Sequence, residues 1–389
     1  MKIAVISNRY YPTVGGAEIN THGILKELAK KHEVTVLTPF RVNSKKEELL
    51  DGVKIKRYWS VFNPFSLYPY NRALHFSPAI ITEIMKENYD LIHMYPSAGL
   101  NYIPYFLPKL LKKKPLLLTV YDLAKYSISY TYKFLTSDNL SIRTKWILRQ
   151  FDCIFAISTY ELDVIRKINN DSFYIPCGTD LEDFDGHDRQ NFRESFQINS
   201  EFVVLDVSRI IEYKGQHILI EAIPDIIKQE KDVIFVFVGP VHDEQYYLRL
   251  RNLVNKLNIK KHVLFTGSLS WNNLLDAYFA CDLHVLPIYF ITFPDTVIEA
   301  WAANKPVLVS NRVDPPWIVK EGEDGLYFDI GNKKELVEKI LILLHNKKLR
   351  DEMGIAGRKK VEEKFTFKII ASEIEEKYSE IIKKKGGRI

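Results

Sequence analysis

Two cations, Arg209 and Lys214, stand close together in the second half of the sequence. Arg209 ends the apolar run FVVLDVSR (202–209), and Lys214 comes just before Gly215 and an apolar helical pattern. A strand followed by a helix predicts a parallel sheet with both cations at its carboxyl edge, where ligands bind. A guanidinium and an ammonium beside a helix N-terminus suit the phosphates of a pyrophosphate group. Two unrelated surface cations are the alternative.

A carboxylate, Glu299, follows at the same predicted edge. The segment 286–310, LPIYFITFPDTVIEAWAANKPVLVS, indicates the end of a buried strand, a loop, a helix that begins near Thr296 and a second buried strand. Glu299 falls in the first turn of this helix, where its charge suits the helix dipole. It can accept hydrogen bonds from a ribose diol there, or it can be an ordinary solvated carboxylate. Pro294 and Asp295 lie in the loop before this helix, and with Thr296 they join the expected ligand-binding set.

Four glycines complete the expected ligand-binding set. Gly15 and Gly16 precede a helix predicted over 18–30, and glycines in such a place let backbone amides approach an anion closely. Gly239 and Gly267 lie at the ends of two predicted strands, DVIFVFVGP and HVLFTGS. The first loop lacks the GxGxxG dinucleotide fingerprint. A tight turn therefore explains Gly15-Gly16 equally well.

These residues require a fold in which strands and helices alternate. Apolar runs and helical patterns alternate through both halves of the chain, and the acidic, turn-rich segment 180–190 separates the halves. We predict an α/β protein with two Rossmann-like domains, residues 1–180 and 181–365. His93 ends a predicted first-domain strand, DLIHM (90–94). There it either contacts a substrate or is a buried structural residue.

Composition excludes several classes of protein. The 389 residues are 46% hydrophobic, enough for two cores, but contain no run of 18 uncharged apolar residues that would span a membrane. The chain opens on a strand pattern without a signal-peptide region. Its three cysteines, Cys153, Cys177 and Cys281, are scattered, which is typical of a reducing compartment. We expect a cytoplasmic protein.

Neither a metal nor a cofactor is expected. Asp183-Phe184-Asp185 is formally a DxD motif, but it lies in the polar connection 180–190. A metal-binding DxD would follow a buried strand instead. The sequence offers no other convincing cluster of carboxylates or histidines near the predicted edge.

Charge is distributed unevenly between the halves. Residues 1–180 carry a balance of +8 and the remainder −3, which suggests an anionic partner for the first half. Aromatic residues also cluster there, and lysines follow the second cluster; the residues are Tyr58, Trp59, Phe62, Phe65, Tyr68, Tyr70, Tyr102, Tyr105, Phe106, Lys109 and Lys112–Lys114. We predict that this half docks on an anionic membrane surface. A carbohydrate-stacking cleft is the alternative, and no nucleic-acid partner is expected.

The chain resembles the retaining glycosyltransferases of family 4. The resemblance spans nearly the whole chain in the family's order, and its motifs are specific together although each is weak alone. The segments are YYPTVGGAE (10–18), DLIHM, LTVYDL, IPCGTDLEDF, VSRIIEYKG (207–215), LFTGS, FPDTVIEAWAANKPVLVS (293–310) and EGEDGLYF (321–328). The resemblance implies the GT-B architecture of two facing Rossmann-like domains, with a C-terminal helix from about residue 366 crossing back to the first domain. It also implies sugar transfer from a nucleotide-diphosphate donor, with retention and without an essential metal.

The resemblance implies roles for individual residues. Arg209 and Lys214 match the residues that bind the donor pyrophosphate, and Glu299 matches the carboxylate that holds the ribose. Gly16 matches the glycine-rich loop that faces the phosphates. Tyr121 stands where the family has a histidine, and we count it with His93 among the catalytic candidates.

Three positions depart from the family pattern. The family's E-x7-E pair has Ile291 in place of its first glutamate, which bears on the identity of the transferred sugar. Tyr121 can donate a hydrogen bond to a sugar hydroxyl but is a poor base at neutral pH. Asn304 replaces a glycine before Lys-Pro and can itself adopt the left-handed conformation of a helix end.

From these observations we predict a glycosyltransferase that uses a nucleotide-diphosphate sugar, with UDP the preferred nucleotide. The acceptor is expected to be lipid-linked, because the basic, aromatic first half suits a membrane surface. Attack from the front face, assisted by the leaving phosphate, is the expected course. A sugar-nucleotide epimerase of the same fold and a non-catalytic nucleotide-sugar-binding protein are the alternatives.

Overall fold

The computed structural model describes residues 1–11, 15–40, 44–59, 77–95, 109, 113–121, 140–289 and 293–386. The chain forms two compact domains, and each has its own sheet. The first domain comprises Met1–Gly178 together with Phe367–Ile389, and the second comprises Thr179–Thr366. The sequence had suggested junctions at 180/181 and 365/366.

The first domain is built on an eight-stranded sheet. Its strands are β1 (Lys2–Ser7), β2 (Glu33–Pro39), β3 (Glu47–Leu50), β4 (Val53–Tyr58), β5 (Leu91–Tyr95), β6 (Leu116–Val120), β7 (Cys153–Ala156) and β8 (Ser172–Tyr174). Their order is β3-β4-β2-β1-β5-β6-β7-β8. Every pairing is parallel except β3 with β4, which is antiparallel at the edge.

Helices cover both faces of this sheet. They are α1 (Gly16–Ala29), α2 (Pro78–Lys86), α3 (Ile142–Leu148), α4 (Thr159–Arg166) and the C-terminal helix, labelled α12 (Phe367–Lys384) because it is the last along the chain. Alternate strand residues point to opposite faces. Ile3 and Val5 pack with α1 and α12, whereas Ala4 and Ile6 pack with α2, α3 and α4. Both faces are buried, as near-continuous apolar strands require.

The second domain contains a six-stranded, wholly parallel sheet. Its strands are β9 (Phe202–Val207), β10 (Val233–Val238), β11 (Val263–Gly267), β12 (Leu283–Leu286), β13 (Val307–Ser310) and β14 (Gly325–Phe328). Their order is β11-β10-β9-β12-β13-β14. This is the doubly wound order in which the chain leaves β9 toward one edge and β12 toward the other.

The helices of the second domain follow its strands. They are α5 (Arg189–Ser195), α6 (Gln216–Ile226), α7 (Glu244–Lys256), α8 (Trp271–Ala280), α9 (Asp295–Ala302), α10 (Lys333–His345) and α11 (Lys347–Lys364). One sheet face, which includes Val204 and Phe235, forms a core with α6, α7 and α10. The two-domain α/β prediction is therefore confirmed.

Some sequence-based predictions differ from the structure or lie outside the described residues. α9 begins at Asp295, not Thr296, and the connection 180–190 contains a 3-10 turn, Leu181–Phe184, followed by the start of α5. The edge strand β3 was not predicted. The aromatic segments 61–76 and 101–108, as well as Lys112 and Ile291, lie outside the described residues.

Candidate functional site

The candidate site of the second domain lies where the strand order reverses, between β9 and β12. Ligands of doubly wound sheets bind in the crevice beyond the carboxyl ends of such strands. The loops after these strands touch: a Cβ on Gly215 would lie 1.8 Å from the Pro287 carbonyl oxygen, and the Tyr289 amide donates to the Tyr213 carbonyl at 3.0 Å. Gly215 also has φ +77, so both conformation and space require glycine there.

The two cations of this crevice share one aromatic ring. The Arg209 guanidinium donates to the Tyr213 hydroxyl, and its carbon lies 6.0 Å from the ring centroid. Lys214 Nζ lies 5.7 Å from the same centroid. Arg209 is exposed and Lys214 half-buried, and within the described part of the chain no acidic side chain forms an ion pair with either. Their charges therefore remain available to an anion.

The Lys214 ammonium is sensitive to its surroundings. Burial and, to a smaller extent, the neighbouring charge of Arg209 lower its pKa to about 8, whereas Asp206 and Asp295 act in the opposite direction. Asp295 is the first residue of α9, so the start of that helix acts on the Lys214 ammonium through its negative charge. A bound diphosphate would favour the charged form, because an opposite charge stabilises an ammonium.

Gly239 and Gly267 lie at the ends of neighbouring strands beside the same crevice, and Gly239 is required there by its backbone conformation and by the close approach of another loop. Gly239 has φ +146, and a Cβ there would lie 2.1 Å from the Ser208 carbonyl oxygen. Its amide donates to the Gly267 carbonyl at 3.0 Å. The glycine at 239 therefore lets the loop after β10 pack directly against the loop after β9.

Glu299 is the fifth residue of α9, and the first-turn acid of this helix is Asp295. The prediction that the charge of Glu299 complements the helix dipole is therefore wrong, because the helix begins earlier than the sequence indicated. Glu299 Oε2 accepts a hydrogen bond from the Tyr278 hydroxyl at 2.6 Å. Burial raises the pKa of this carboxyl to about 7. Tyr278, on α8, was not predicted.

A buried histidine, also not predicted, orients Thr296. His284 Nδ1 lies 3.0 Å from the Leu205 carbonyl, which can only accept, so Nδ1 carries the hydrogen. Burial lowers the pKa of the ring to about 4, and the neutral Nε2 therefore accepts from the Thr296 hydroxyl at 3.3 Å. The Thr296 side chain is directed inward, so a ligand would meet its backbone amide.

In the first domain, Gly15 and Gly16 stand at the start of α1. Gly15 is extended at φ −153, a conformation open to any residue. A Cβ on Gly15 would lie 2.7 Å from Glu18 Oε2, and Glu18 is itself 5% exposed and 3.6 Å from Arg9 Nε. The Glu18 carboxylate thus complements the positive end of α1. An anion predicted at this turn would have to approach beside that carboxylate.

His93 is not at the end of its strand, and this prediction is wrong. It is the third of the five residues of β5 and has no exposed surface. Nδ1 lies 2.5 Å from the Tyr378 hydroxyl and Nε2 lies 2.9 Å from Thr119 Oγ1, while burial lowers the pKa of the ring to about 3. Strand β5 continues through Met94 and Tyr95, so His93 links β5, β6 and α12 inside the domain. Its geometry matches the structural alternative and not a catalytic role.

Tyr121 follows β6 and is half-buried. Its hydroxyl accepts from Asn20 Nδ2 at 3.0 Å and lies 2.9 Å from Thr21 Oγ1. Burial raises the pKa of the phenol well above its usual value. Tyr121 therefore keeps its proton at neutral pH and cannot act as a general base.

The DxD of the connection forms a structural contact. Asp183 Oδ2 accepts from the Trp271 indole at 3.0 Å. Across the described ranges, no group of three His, Cys, Asp or Glu side chains is arranged to hold a metal ion. Nor does any helix among the described residues have the length and apolar character needed to cross a membrane.

Two family models match the chain, one to each domain. The model described as Glycosyltransferase Family 4 matches residues 14–183, and the model described as Glycosyl transferases group 1 matches residues 188–360. These matches and the fold define the class of the protein as a glycosyltransferase of GT-B fold. The chain belongs to glycosyltransferase family 4.

Curated relatives and solved structures agree with this assignment. Spore coat protein SA of Bacillus subtilis (strain 168) is 27% identical over 96% of this chain and 98% of its own. N-acetyl-alpha-D-glucosaminyl L-malate synthase of Bacillus anthracis is 24% identical over 97% and 98%. Anabaena Alr3699/HepE, solved in complex with UDP and glucose, superposes with a TM-score of 0.77 at 19% identity, covering 97% and 99%. This structural likeness shows the fold.

Proposed function

We propose that this glycosyltransferase takes its sugar from a nucleotide-diphosphate donor, with UDP as the nucleotide, and transfers it with retention. The observation that carries the proposal is the pair Arg209 and Lys214, which lie close to the same Tyr213 ring at the reversal point of the sheet. Two cations that form no ion pair with any described acidic residue, beside a helix N-terminus, suit a diphosphate. The structure of Anabaena HepE with UDP and glucose supports the choice of nucleotide.

The reaction breaks the bond between the anomeric carbon and the diphosphate oxygen. The acceptor hydroxyl attacks on the face that the diphosphate leaves, and its proton passes to the departing phosphate oxygen, so configuration is retained. Arg209 and Lys214 stabilise the negative charge that grows on the diphosphate. The chemistry requires neither His93, which is enclosed, nor Tyr121, which holds its proton. No metal is needed, because the two cations serve the diphosphate.

Substitution of the cations tests this proposal. Arg209→Ala and Lys214→Ala should each weaken binding of UDP and UDP-sugar at least about tenfold, since a hydrogen bond to a charged group contributes about 1.5–3 kcal/mol. Arg251→Ala is the matched control, because Arg251 also lies over a tyrosine ring, 5.9 Å from the centroid of Tyr247. Calorimetry that finds unchanged affinity in both variants would exclude the site.

Metal independence is tested separately. Transfer activity should persist in the presence of a chelator, and loss of activity that magnesium restores would contradict metal independence.

We further propose a lipid-linked acceptor, which α3 supports. Ile142 is 87% exposed and Trp146, one turn later, is 47% exposed. Lys145 and Arg149 flank them on the same segment. An apolar pair beside cations suits an anionic bilayer, where aromatic rings settle at the headgroups and each cation contributes about 1 kcal/mol.

More lysines lie beside the end of α3. Lys109 Nζ donates to the Gln150 carbonyl and pairs with Asp152 at 3.0 Å. The Lys113 amide donates to the Lys109 carbonyl at 3.0 Å, so Lys113 lies next to the lysine that contacts the end of this helix. The charge of this surface is therefore larger than α3 alone provides.

Co-sedimentation with vesicles containing anionic lipid tests the membrane proposal. Wild-type protein should pellet at low salt and be released at high salt, because exposed charges are screened within about 8 Å at physiological ionic strength. Ile142→Ser with Trp146→Ser should remain in the supernatant. Leu248→Ser is the control, since Leu248 is 54% exposed but lies on α7 in the second domain. Wild-type protein that stays soluble at low salt would favour a soluble acceptor.

A further inference from the structure

Asp206 is a buried charge beneath the diphosphate-binding loop. It is the fifth residue of β9, has no exposed surface and shares a sheet face with Val204, which packs in the core with α6 and α7. Its Oδ1 accepts from the Ser208 hydroxyl at 2.7 Å. Its Oδ2 has no hydrogen-bond partner among the described residues. A carboxylate in such a place lowers stability, because burial without full hydrogen bonding disfavours its charge. Its presence therefore suggests a function.

A short chain of hydrogen bonds leads from Asp206 to the loop that carries the cations. Gln216, which has no exposed surface, donates from Nε2 to Ser208 Oγ at 2.7 Å and to the Arg209 carbonyl at 3.0 Å. Ser208 donates to Asp206 and accepts from Gln216, so its hydroxyl links the two side chains. The chain thus ties the end of β9 to the first residue of α6. Arg209 and Lys214 project from the segment between these two anchors.

Asp206 also acts on Lys214 through its charge. Burial raises the pKa of Asp206 to about 7, and Lys214 opposes this shift. In return, Asp206 opposes the lowering of the pKa of Lys214. Asp206 also acts on the phenols of Tyr246 and Tyr278, whose pKa values burial raises, so both stay neutral.

We propose that Asp206 is a positioning residue for the donor diphosphate: it anchors the loop after β9 through Ser208 and Gln216, and its charge keeps Lys214 an ammonium. Asp206 does not touch the donor and acts only through its neighbours. The inference rests on the proposed function, because it assigns the diphosphate to Lys214.

The two tasks of Asp206 differ in their dependence on pH. Near pH 6 the carboxyl of wild-type protein is mostly protonated, so a neutral amide in its place changes little. Above its pKa, Asp206 is charged and holds the pKa of Lys214 up, and loss of that charge lets Lys214 lose its proton at lower pH. The effect of neutralising Asp206 should therefore appear only on the alkaline side.

Calorimetric titration of the full-length protein with UDP tests this inference. D206N should bind UDP within about twofold of wild type near pH 6 and at least about fivefold more weakly near pH 8.5, since one pKa unit is a tenfold change in the charged fraction above the pKa. Comparing variant with wild type at each pH cancels the titration of UDP itself. S208A, which breaks the hydrogen-bond chain but keeps the charge, should weaken binding by the same factor at both pH values.

Two results would overturn the inference. An equal loss in D206N at both pH values would reduce Asp206 to a purely structural residue, and no loss at either would remove it from the site. D206V, with an apolar branched side chain like its strand neighbours, replaces D206N if the amide prevents folding. Wild-type protein that does not bind UDP at all would instead reject the proposed function, so the two failures are distinguishable.

Discussion

Two ionisable side chains of the proposed donor site, Glu299 and Lys214, have pKa values on either side of mildly alkaline pH. Burial brings Glu299 to about 7 and Lys214 to about 8. The ribose hydroxyls would donate to the ionised form of Glu299, and the diphosphate would require the charged form of Lys214. Donor binding should therefore be strongest between the two values.

Glu299→Gln tests the acidic side of this profile. The variant should bind UDP about as well as wild type near pH 5.5, where the carboxyl is protonated, and roughly tenfold more weakly near pH 8, because a hydrogen bond to a charged acceptor contributes about 1.5–3 kcal/mol. Calorimetry across this range is the measurement. Glu335→Gln, on the outer helix α10, serves as the control. Equal affinity of variant and wild type at every pH would reject the ribose assignment.

At this scale, the sequence revealed the residues whose role depends on their position along the chain. Arg209 and Lys214 could be predicted because a strand end and a helix start are visible locally. Tyr278 and His284 could not, because they meet Glu299 and Thr296 only after α8 and β12 have packed. Asp206 was concealed within an apolar run, where an isolated carboxyl gives no local sign of its partners.

Among the elements, long apolar strands were predictable and their ends were less so. β10 follows a continuous apolar run, and β9 and β12 follow apolar runs that each contain one polar residue, Asp206 and His284. β3 has the sequence EELL and, as an edge strand, needs little apolar surface. His93 was misplaced because Met94 and Tyr95 extend β5 by two residues beyond it, and this extension brings the imidazole against Tyr378 of α12.

The contact between α1 and α12 depends on one glycine. A Cβ on Gly23 of α1 would lie 2.2 Å from the ring of Phe367. Alanine normally stabilises a helix interior by about 1 kcal/mol relative to glycine. Here Gly23→Ala should instead lower the free energy of unfolding by about 1–3 kcal/mol, because the methyl group overpacks the interface.

Chemical denaturation of Gly23→Ala provides the measurement. The double variant Gly23→Ala/Phe367→Ala should be more stable than the sum of the single effects predicts, by about 1 kcal/mol or more, since the contact is direct. Strict additivity would show that Phe367 does not limit the space at Gly23. A stabilised single variant would contradict the packing altogether.

At the scale of the whole molecule, one domain is formed by a single stretch of the chain and the other by two separate stretches. The second domain is one stretch, Thr179–Thr366, whereas the first needs Phe367–Ile389 as well as Met1–Gly178. Ile370, Ile374 and Tyr378 have no exposed surface, so α12 covers an apolar face of the sheet that would otherwise be exposed to solvent. Fold class and family could be predicted from the sequence at this scale, because motifs in a fixed order span the chain.

Separate expression of fragments tests whether the first domain needs α12 in order to fold. Residues 179–366 should unfold cooperatively alone, because they contain a complete sheet and core. Residues 1–178 should aggregate, and co-expression with 367–389 should restore a soluble complex, since burial of a large apolar side chain stabilises by about 1.5–3 kcal/mol. Thermal melts and size-exclusion chromatography are the measurements. A monomeric 1–178 fragment with a cooperative melt would show that α12 is dispensable.

The late position of α12 in the chain has a consequence for biosynthesis. The ribosome makes the sheet of the first domain first, but the helix that covers one of its faces emerges only after the second domain. At about 5–20 residues per second, residues 179–366 take on the order of tens of seconds to translate. Throughout that interval the nascent first domain presents an unfinished apolar face. We expect chaperones of the trigger-factor or Hsp70 type to bind this face. Prematurely terminated chains should be degraded, because a chain without α12 cannot complete the first domain.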